Sequence, residues 1–251
     1  MDLLKAFAVG ALCSAVSGLF PVAAGEFVVQ PIRLDLGPAA RSSAISVRND
    51  SKEPLSFQIQ AMEWAQDRTG TDQYGETSDL VFFPRIMTVG PDQEGIIRVG
   101  IKTPIVPKER TFRLFIEELP SNIKNAEGEG AKVNFLLRIG APIFVAPVKP
   151  QDGLEIEGLS LAKGTVSLST RNTGNRHQIV QSIQLRGMDS NGNEVYALAL
   201  ADRYLLSGTG KSYSTSIPED VCLKISSLAV EFKTDKLSAK RTLTVNRDMC
   251  S

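Results

Sequence analysis

Side chains that could act as acids, bases or metal ligands are few in this chain. His177 is the one histidine, and its turn-like surroundings, NTGNRHQ, predict a solvated surface residue. A zinc site needs several converging Cys, His or carboxylate ligands, and the sequence contains neither HxH nor CxxC. Glu117 and Glu118 are adjacent in a predicted strand, so they face opposite sides and cannot work as an acid–base pair. We therefore expect no catalytic residue, no metal site and no cofactor, and hence no enzyme.

The chain has three cysteines, and two of them, Cys222 and Cys250, remain after removal of the N-terminal segment that contains Cys13. In an oxidising compartment an even cysteine count favours a disulfide, which here would contribute about 3 kcal/mol in the loop-entropy model. Two unpaired buried thiols are the alternative. A catalytic thiol pair is disfavoured because no CxxC is present.

The N-terminal segment has the pattern of a cleaved signal peptide, for which we assign residues 1–25. A basic residue precedes a short apolar run at 6–16, and small residues follow, so cleavage is expected after Ala24 or Gly25. The run is shorter than the roughly 20 residues that span a bilayer, so we expect no membrane anchor. Cys13 raises a lipoprotein alternative, which the bulky Leu12 disfavours.

Alternation of apolar and polar residues dominates the remaining chain. In LSFQIQAMEW (55–64) apolar side chains share one face, and Trp64 and the other aromatic residues are expected in the core. The polar stretches 65–79 and 121–132 are predicted to be loops. No helical period persists for three turns. Further strands are predicted at 27–36 with an interruption near Pro31, and at 42–50, 95–102, 111–119 and 132–147.

This pattern predicts an all-β protein with two immunoglobulin-like β-sandwich domains in tandem, because turn signals recur about every 8–12 residues. Pro147 and Pro150 flank a polar stretch that would stop one sheet and stiffen a linker. We place the N-terminal domain at 26–147 and the C-terminal domain at 148–251.

The long apolar strand KVNFLLRIGAPIFVAP (132–147) is the most distinctive element of the sequence. Two interpretations remain open: a central strand buried on both faces, or an edge strand exposed on purpose. Exposed apolar edges are normally avoided because they pair with other chains, so a protein that keeps one would use it to complete a partner's sheet. One face carries Val133, Phe135, Leu137 and Ile139, and the other carries Asn134, Leu136 and Arg138.

Several segments, in their order, resemble the periplasmic pilus (fimbrial) assembly chaperones of chaperone–usher systems. The resemblance covers nearly the whole chain after the signal segment, and FPR, TGNRH and the cysteine spacing make it similar to the archaic or spore-coat-type branch. The segments are PIRLDL, ISVRND, FPRIMTVGPDQEGIIRVGI, FRLFIEELP, the strand ending in FVAP, STRNTGNRHQIV and DRYLLSGTGKSY.

The resemblance implies a boomerang-shaped periplasmic chaperone that holds pilus subunits by donor-strand complementation and passes them to an outer-membrane usher. The subunit-binding residues that it implies are Val133, Phe135, Leu137 and Ile139. A homo-oligomer that caps the exposed strand is expected when the chaperone is free.

The family's cleft arginine, which grips the subunit's C-terminal carboxylate, corresponds to Arg33 in PIRLDL. Arginine suits this role because its fixed fork of donors binds a carboxylate in two places. The best-known members add a lysine on the long strand, whereas this chain has Gly140-Ala141-Pro142 there. Arg85 or Arg138 would have to supply the second cation.

Other function classes fit less well. Lys plus Arg and Asp plus Glu are equal at 28 each, so no bulk charge attracts nucleic acid or a membrane. A secreted structural or adhesive pilus subunit is the main alternative; it would carry its donor segment at the N-terminus. A secreted hydrolase or carbohydrate-binding enzyme would need a catalytic constellation that the sequence lacks.

Overall fold

The computed structural model describes residues 27–67, 69–104, 106–120 and 135–251. The predicted signal segment, the loop 121–132 and Val133 lie outside these residues.

The first half of the described chain folds into two facing sheets. One has the strand order β1-β3-β8-β6, and the other has the order β2-β10-β9-β4-β5, with β7 also paired to β4. The strands are β1 (Phe27–Gln30), β2 (Leu34–Leu36), β3 (Ser42–Asn49), β4 (Leu55–Gln66), β5 (Asp72–Glu76), β6 (Leu80–Phe83), β7 (Ile86–Val89), β8 (Glu94–Ile101), β9 (Arg110–Glu118) and β10 (Arg138–Val145).

The core of this sandwich follows from the alternation in its strands. Ile45 and Ile97 from the first sheet, and Phe57, Leu114 and Ile143 from the second, are almost fully buried between the sheets. Successive strand residues point to opposite faces, so the intervening polar residues face outward.

The second half forms another sandwich with its own core, including Leu168, Ile183 and Phe232. Its sheets have the orders β11-β12-β16 and β14-β13-β17-β18, with β15 also paired to β13. The strands are β11 (Leu154–Ala162), β12 (Thr165–Asn172), β13 (Gln178–Met188), β14 (Glu194–Leu200), β15 (Tyr204–Leu205), β16 (Gly210–Ser216), β17 (Ser227–Thr234) and β18 (Ser238–Thr244). The short helix α1 (Glu219–Cys222) precedes β17, and a single 3-10 turn (Arg247–Met249) precedes Cys250.

The predicted fold class of tandem immunoglobulin-like sandwiches is confirmed. The disulfide is also present, joining Cys222 to Cys250 with a Cα–Cα distance of 5.6 Å. The boundary at residues 147/148 stays a prediction; it falls between β10 and β11. Within the described ranges, no helix has the length and apolar character required to cross a membrane.

One local prediction was wrong. The stretch 65–79 is not all loop, because β5 pairs with the end of β4 as a hairpin. The prediction that Trp64 packs in a core is confirmed: it is buried in a separate cluster with Phe144, Tyr204 and Leu206. This cluster joins the outer face of the first sandwich to the second sandwich. β4 therefore has apolar side chains on both faces, with Phe57 in the first core and Trp64 in this cluster.

Candidate functional site

Among the described residues, the long apolar strand has one main-chain edge that is not fully paired. β10 pairs with β9 along its whole length, but β2 covers only Ile143–Val145 on the other side. The Leu137 carbonyl accepts a hydrogen bond from the Glu118 N–H at 2.9 Å. Alternate residues of an antiparallel strand turn their main chain to the same side, so Leu137, Ile139 and Ala141 face β9. The N–H groups of Arg138 and Gly140 therefore point to the open edge.

The inward face of this strand changes from buried to exposed along its length. Ala141, Ile143 and Val145 lie in the sandwich core, and Ile139 is half-buried against it. Leu137 is 37% exposed and Phe135 is 80% exposed. The same face that completes this domain's core thus continues beyond it as unpaired apolar side chains. Val133, the remaining predicted donor residue, lies outside the described residues.

The opposite face of the strand also carries an apolar side chain. Leu136 is 49% exposed. Leu136 precedes β10, and an extension of the β10 alternation would put it on the face of Arg138 and Gly140, away from the core side of the sheet. Leu136 is therefore a natural internal control for any role of the inward face.

The predicted anchor Arg33 is already engaged by a neighbouring carboxylate. Its Nε and Nη2 donate to Asp35, with distances of 2.9 Å to Oδ2 and 2.8 Å to Oδ1 respectively. Its guanidinium carbon lies 5.1 Å from the centre of the Phe144 ring. Partial burial lowers the pKa of Arg33, but the hydrogen bonds and charge of Asp35 outweigh this and leave the pKa raised. Arg33 is thus a fixed cation beside the cluster that joins the sandwiches.

The other two predicted cations are not brought next to Arg33. Arg138 lies on the same face of the sheet, but four β10 positions from Pro142, about 13 Å at the usual rise per residue. Its guanidinium covers the Phe115 ring at 4.1 Å and pairs with Glu117 at 3.3 Å. Arg85 lies beyond β4, with its guanidinium 5.2 Å from the centre of the Phe82 ring.

Sequence reasoning missed one arginine in this region, Arg113 of β9. Its guanidinium carbon lies 3.9 Å from the centre of the Trp64 ring, and its Nη1 donates to the Gly140 carbonyl at 3.0 Å. The signal was available, because a charged residue interrupts the apolar run FRLFI.

The prediction for His177 was wrong. It is 7% exposed, its N–H donates to Glu109 Oε1 at 2.7 Å, and its Nδ1 lies 2.9 Å from both oxygens of that carboxylate. Glu109 precedes β9 in the first sandwich and His177 precedes β13 in the second. The imidazole is buried against Glu109, which is distant from His177 in sequence. The turn-like sequence around His177 therefore does not reveal that the side chain is buried.

A side-chain clamp also joins the two sandwiches. Gln66 Nε2 donates to the Tyr204 carbonyl at 3.1 Å, and its Oε1 accepts from the Leu206 N–H at 3.0 Å. Asn175 Nδ2 donates to the Pro107 carbonyl at 2.8 Å. The cluster around Phe144 is therefore flanked by hydrogen bonds between the two sandwiches. Among the described residues, no group of three or more His, Cys, Asp or Glu side chains is arranged to hold a metal ion.

Comparison with solved structures supports the fold. A chain in the crystal structure of the CsuC–CsuE chaperone–tip adhesion subunit pre-assembly complex, from the archaic chaperone–usher Csu pili of Acinetobacter baumannii, is 18% identical with a TM-score of 0.60. The match covers 87% of this chain and 98% of that one. The CupB2 chaperone of Pseudomonas aeruginosa is 15% identical with a TM-score of 0.52, over 87% of this chain and all of that one (100%). No curated protein matches the sequence.

The family assignment comes from the sequence of the first sandwich. Residues 26–151 match the family described as pili and flagellar-assembly chaperone, PapD N-terminal domain. This match spans half of the chain and includes β10 with its free edge. The chain therefore belongs to the family of pili and flagellar-assembly chaperones.

Proposed function

We propose that this chaperone holds a pilus subunit in the periplasm by donor-strand complementation and delivers it to an outer-membrane usher. One observation carries the proposal: the inward face of β10 passes from buried at Ala141 to exposed at Phe135, next to an unpaired main-chain edge. A subunit that lacks one strand can pair with this edge and receive Phe135 and Leu137 into its own core. Val133 and Ile139 are the outer members of the proposed set.

Side chains and main-chain groups both contribute binding free energy at this edge. Each large apolar side chain that enters a partner's groove yields about 1.5–3 kcal/mol before ordering costs. Each main-chain hydrogen bond adds about 1 kcal/mol. Main-chain bonds give affinity for any strand, whereas alternate side chains give selectivity for a groove of matching shape.

Other features support the partners and the compartment. The fold is similar to that found in a complex of a chaperone with a tip adhesion subunit. The predicted signal peptide at 1–25 and the disulfide between Cys222 and Cys250 suit the periplasm. An exposed apolar edge invites self-association, so we propose that free chaperone caps it by forming a homo-oligomer.

Arg33 is the proposed anchor for the C-terminal carboxylate of the subunit. Its guanidinium is held by Asp35 and the Phe144 ring, so its position is fixed before the subunit arrives. A subunit carboxylate would have to share it with Asp35. Arg85 and Arg138 stay predictions for the second cation, and their distance from Arg33 argues for another residue.

Co-expression in a periplasm with candidate secreted subunits tests the proposal. We expect wild type to form a one-to-one complex and the Phe135→Asp, Leu137→Asp double variant to lose it while keeping its circular dichroism spectrum. Leu136→Asp is the matched control, since it adds a charge to the same segment on the opposite face. Equal capture by wild type and double variant would contradict strand donation, and unfolding of the double variant would place those residues in the core.

A further inference from the structure

We propose that the outer face of the sheet at Gly140 is a second recognition site for the partner strand, which selects a large apolar side chain. The inference rests on the proposed function, since it assumes a strand that pairs with the open edge of β10. The site consists of the Phe115 ring on β9, the bare backbone of Gly140 on β10, and the side chains of Arg138 and Tyr74 that hold the ring.

A strand that pairs with the open edge places side chains on both faces of the sheet. Among the described residues, β2 pairs with β10 only from Ile143 onward, so the N–H groups of Arg138 and Gly140 are available to a partner. Residues directly opposite each other share a face, and successive residues alternate. The partner residue beside Ile139 therefore joins the inward face, whereas the partner residue beside Gly140 lies on the outer face.

Gly140 leaves the Phe115 ring uncovered towards that edge. The two residues pair across the β9–β10 ladder. A Cβ atom at Gly140 would lie 3.0 Å from Phe115 Cε1 and 3.3 Å from Cδ1, so the ring lies over the glycine backbone. Cβ atoms of opposite residues in paired strands are about 5 Å apart, within reach of an aromatic side chain. A partner side chain beside Gly140 can therefore contact the ring directly.

The neighbouring outer-face positions of β10 differ from Gly140. Glu117 pairs with Arg138, and Arg113 pairs with Pro142. In both rows a β10 side chain stands between the β9 side chain and the edge. In the described part of the open edge, Gly140 is thus the position at which a side chain of β9 meets an incoming strand.

The Phe115 ring is held in place before any partner arrives. The Arg138 guanidinium carbon lies 4.1 Å from the ring centre, and Arg138 pairs with Glu117 at 3.3 Å. The Tyr74 ring meets Phe115 edge to face, with centroids 5.3 Å apart. Phe115 is half-buried. Because the ring is already ordered, little side-chain entropy is lost when a partner side chain packs against it.

The two flanking arginines are already engaged, which favours an apolar occupant over an acidic one. Arg138 pairs with Glu117, while Arg113 donates to the Gly140 carbonyl at 3.0 Å and lies 3.8 Å from Asp72. The Gly140 carbonyl keeps a second lone pair for a partner N–H. The atoms that face the incoming side chain are the ring carbons nearest Gly140, and aromatic rings pair favourably with aromatic and β-branched residues across strands.

This site would add selectivity that the inward face does not provide. Inward side chains test only whether a partner has a groove of matching shape. The outward face of a partner's edge strand is ordinarily polar, so an apolar residue at the position beside Gly140 would distinguish a cognate strand from other exposed edges.

Two strand peptides test the selection. Each is acetylated, amidated and nine residues long, with lysine at both ends and alternating valine and threonine between them. The central threonine of one peptide is replaced by phenylalanine. We expect the phenylalanine peptide to bind wild type about fivefold more tightly in calorimetry, as an aromatic pair would provide. Nuclear Overhauser contacts should join its ring to the Phe115 ring and to Gly140.

The variant Phe115→Thr should abolish the preference, because it removes the ring and keeps a strand-forming residue. Phe83→Thr is the matched control: it removes a ring that is 73% exposed on the other sheet of the same sandwich and should keep the fivefold preference. Phe115→Leu keeps an apolar side chain without the ring and should reduce the preference to about twofold. If Phe115→Thr does not fold, the leucine variant carries the test.

Three results would overturn the inference: a preference that survives in Phe115→Thr, equal binding of the two peptides to wild type, or no binding of either at millimolar concentration. A third peptide with glutamate at the central position tests recognition by the arginines, and tighter binding of this peptide than of the phenylalanine peptide would also overturn it. Subunit capture by the Phe135→Asp, Leu137→Asp variant is measured separately. Capture that depends on those two residues, without selection between the peptides, would leave the proposed function standing and remove the role of Phe115.

Discussion

The His177 imidazole lies parallel to the Phe144 ring, with centroids 3.5 Å apart and an interplanar angle of 14°. Phe144 belongs to β10 of the first sandwich, whereas His177 belongs to the second. The Arg33 guanidinium also approaches the Phe144 ring. The strand that carries the proposed donor residues is therefore connected, through one aromatic side chain, both to the candidate anchor and to the second sandwich.

Removing the partner of His177 should weaken this connection. In Glu109→Ala the buried His177 N–H loses its acceptor, so we expect the free energy of unfolding to fall by about 1–3 kcal/mol. Urea unfolding followed by Trp64 fluorescence measures this, because the indole lies in the same cluster. The control Glu117→Ala breaks an exposed pair with Arg138 and should cost less than about 1 kcal/mol. Equal costs for the two variants would show that the buried pair has no special role.

The Gln66 clamp should fix the angle between the sandwiches. Gln66→Ala removes its two hydrogen bonds to the segment around Tyr204, and we expect a loss of about 1–3 kcal/mol. Small-angle X-ray scattering should then show a broader range of interdomain distances. Gln60→Ala, on the same strand and exposed, should behave as wild type. A scattering profile unchanged in Gln66→Ala would place the control of orientation elsewhere.

The disulfide should stabilise the second sandwich without taking part in capture. A Cys222→Ser, Cys250→Ser variant should lose about 3 kcal/mol in denaturant unfolding. Its capture of subunit, measured below the unfolding transition, should equal that of wild type, because both cysteines lie in the second core. Capture that fails in folded variant protein would instead assign the α1 region a role in binding.

The position of a residue along the long apolar strand should determine how much stability is lost when its side chain is truncated to alanine. Ile143→Ala opens a cavity in the first core and should cost about 2–5 kcal/mol. Phe135→Ala, on the same strand face but exposed, should change stability by less than about 0.5 kcal/mol. Denaturant midpoints of the two variants test this directly. A large loss in Phe135→Ala would mean that Phe135 packs against this chain's own core.

The sequence predicted what depends on local pattern. Period-two alternation located most strands, and the interruption near Pro31 separates β1 from β2 as expected. The prediction that Phe135 and Leu137 continue the face of Ile143 stays a prediction. Alternation alone did not decide whether the edge of this strand is paired, because that depends on the length of β2, which pairs with only three residues of β10.

Contacts between the sandwiches could not be predicted in the same way. His177 is buried by Glu109 and Phe144, which are far from it in sequence. Trp64 follows the alternation of β4, yet its face is covered by the second sandwich and not by the facing sheet. Arg113 was missed because its significance depends on the register that sets it opposite Pro142. Each of these follows from a packing partner that no local pattern encodes.

Amide hydrogen exchange along β10 tests strand donation most directly. In monomeric free chaperone the N–H groups of Ile139 and Ala141 are bonded to β9, whereas those of Arg138 and Gly140 face the open edge. The free reference is therefore measured at a dilution at which the capping homo-oligomer has dissociated. Measured by nuclear magnetic resonance in a one-to-one complex with a subunit, Arg138 and Gly140 should become at least a hundredfold slower to exchange, with Ile139 already protected in both states. A complex in which Arg138 and Gly140 exchange as fast as in free protein would contradict pairing at this edge.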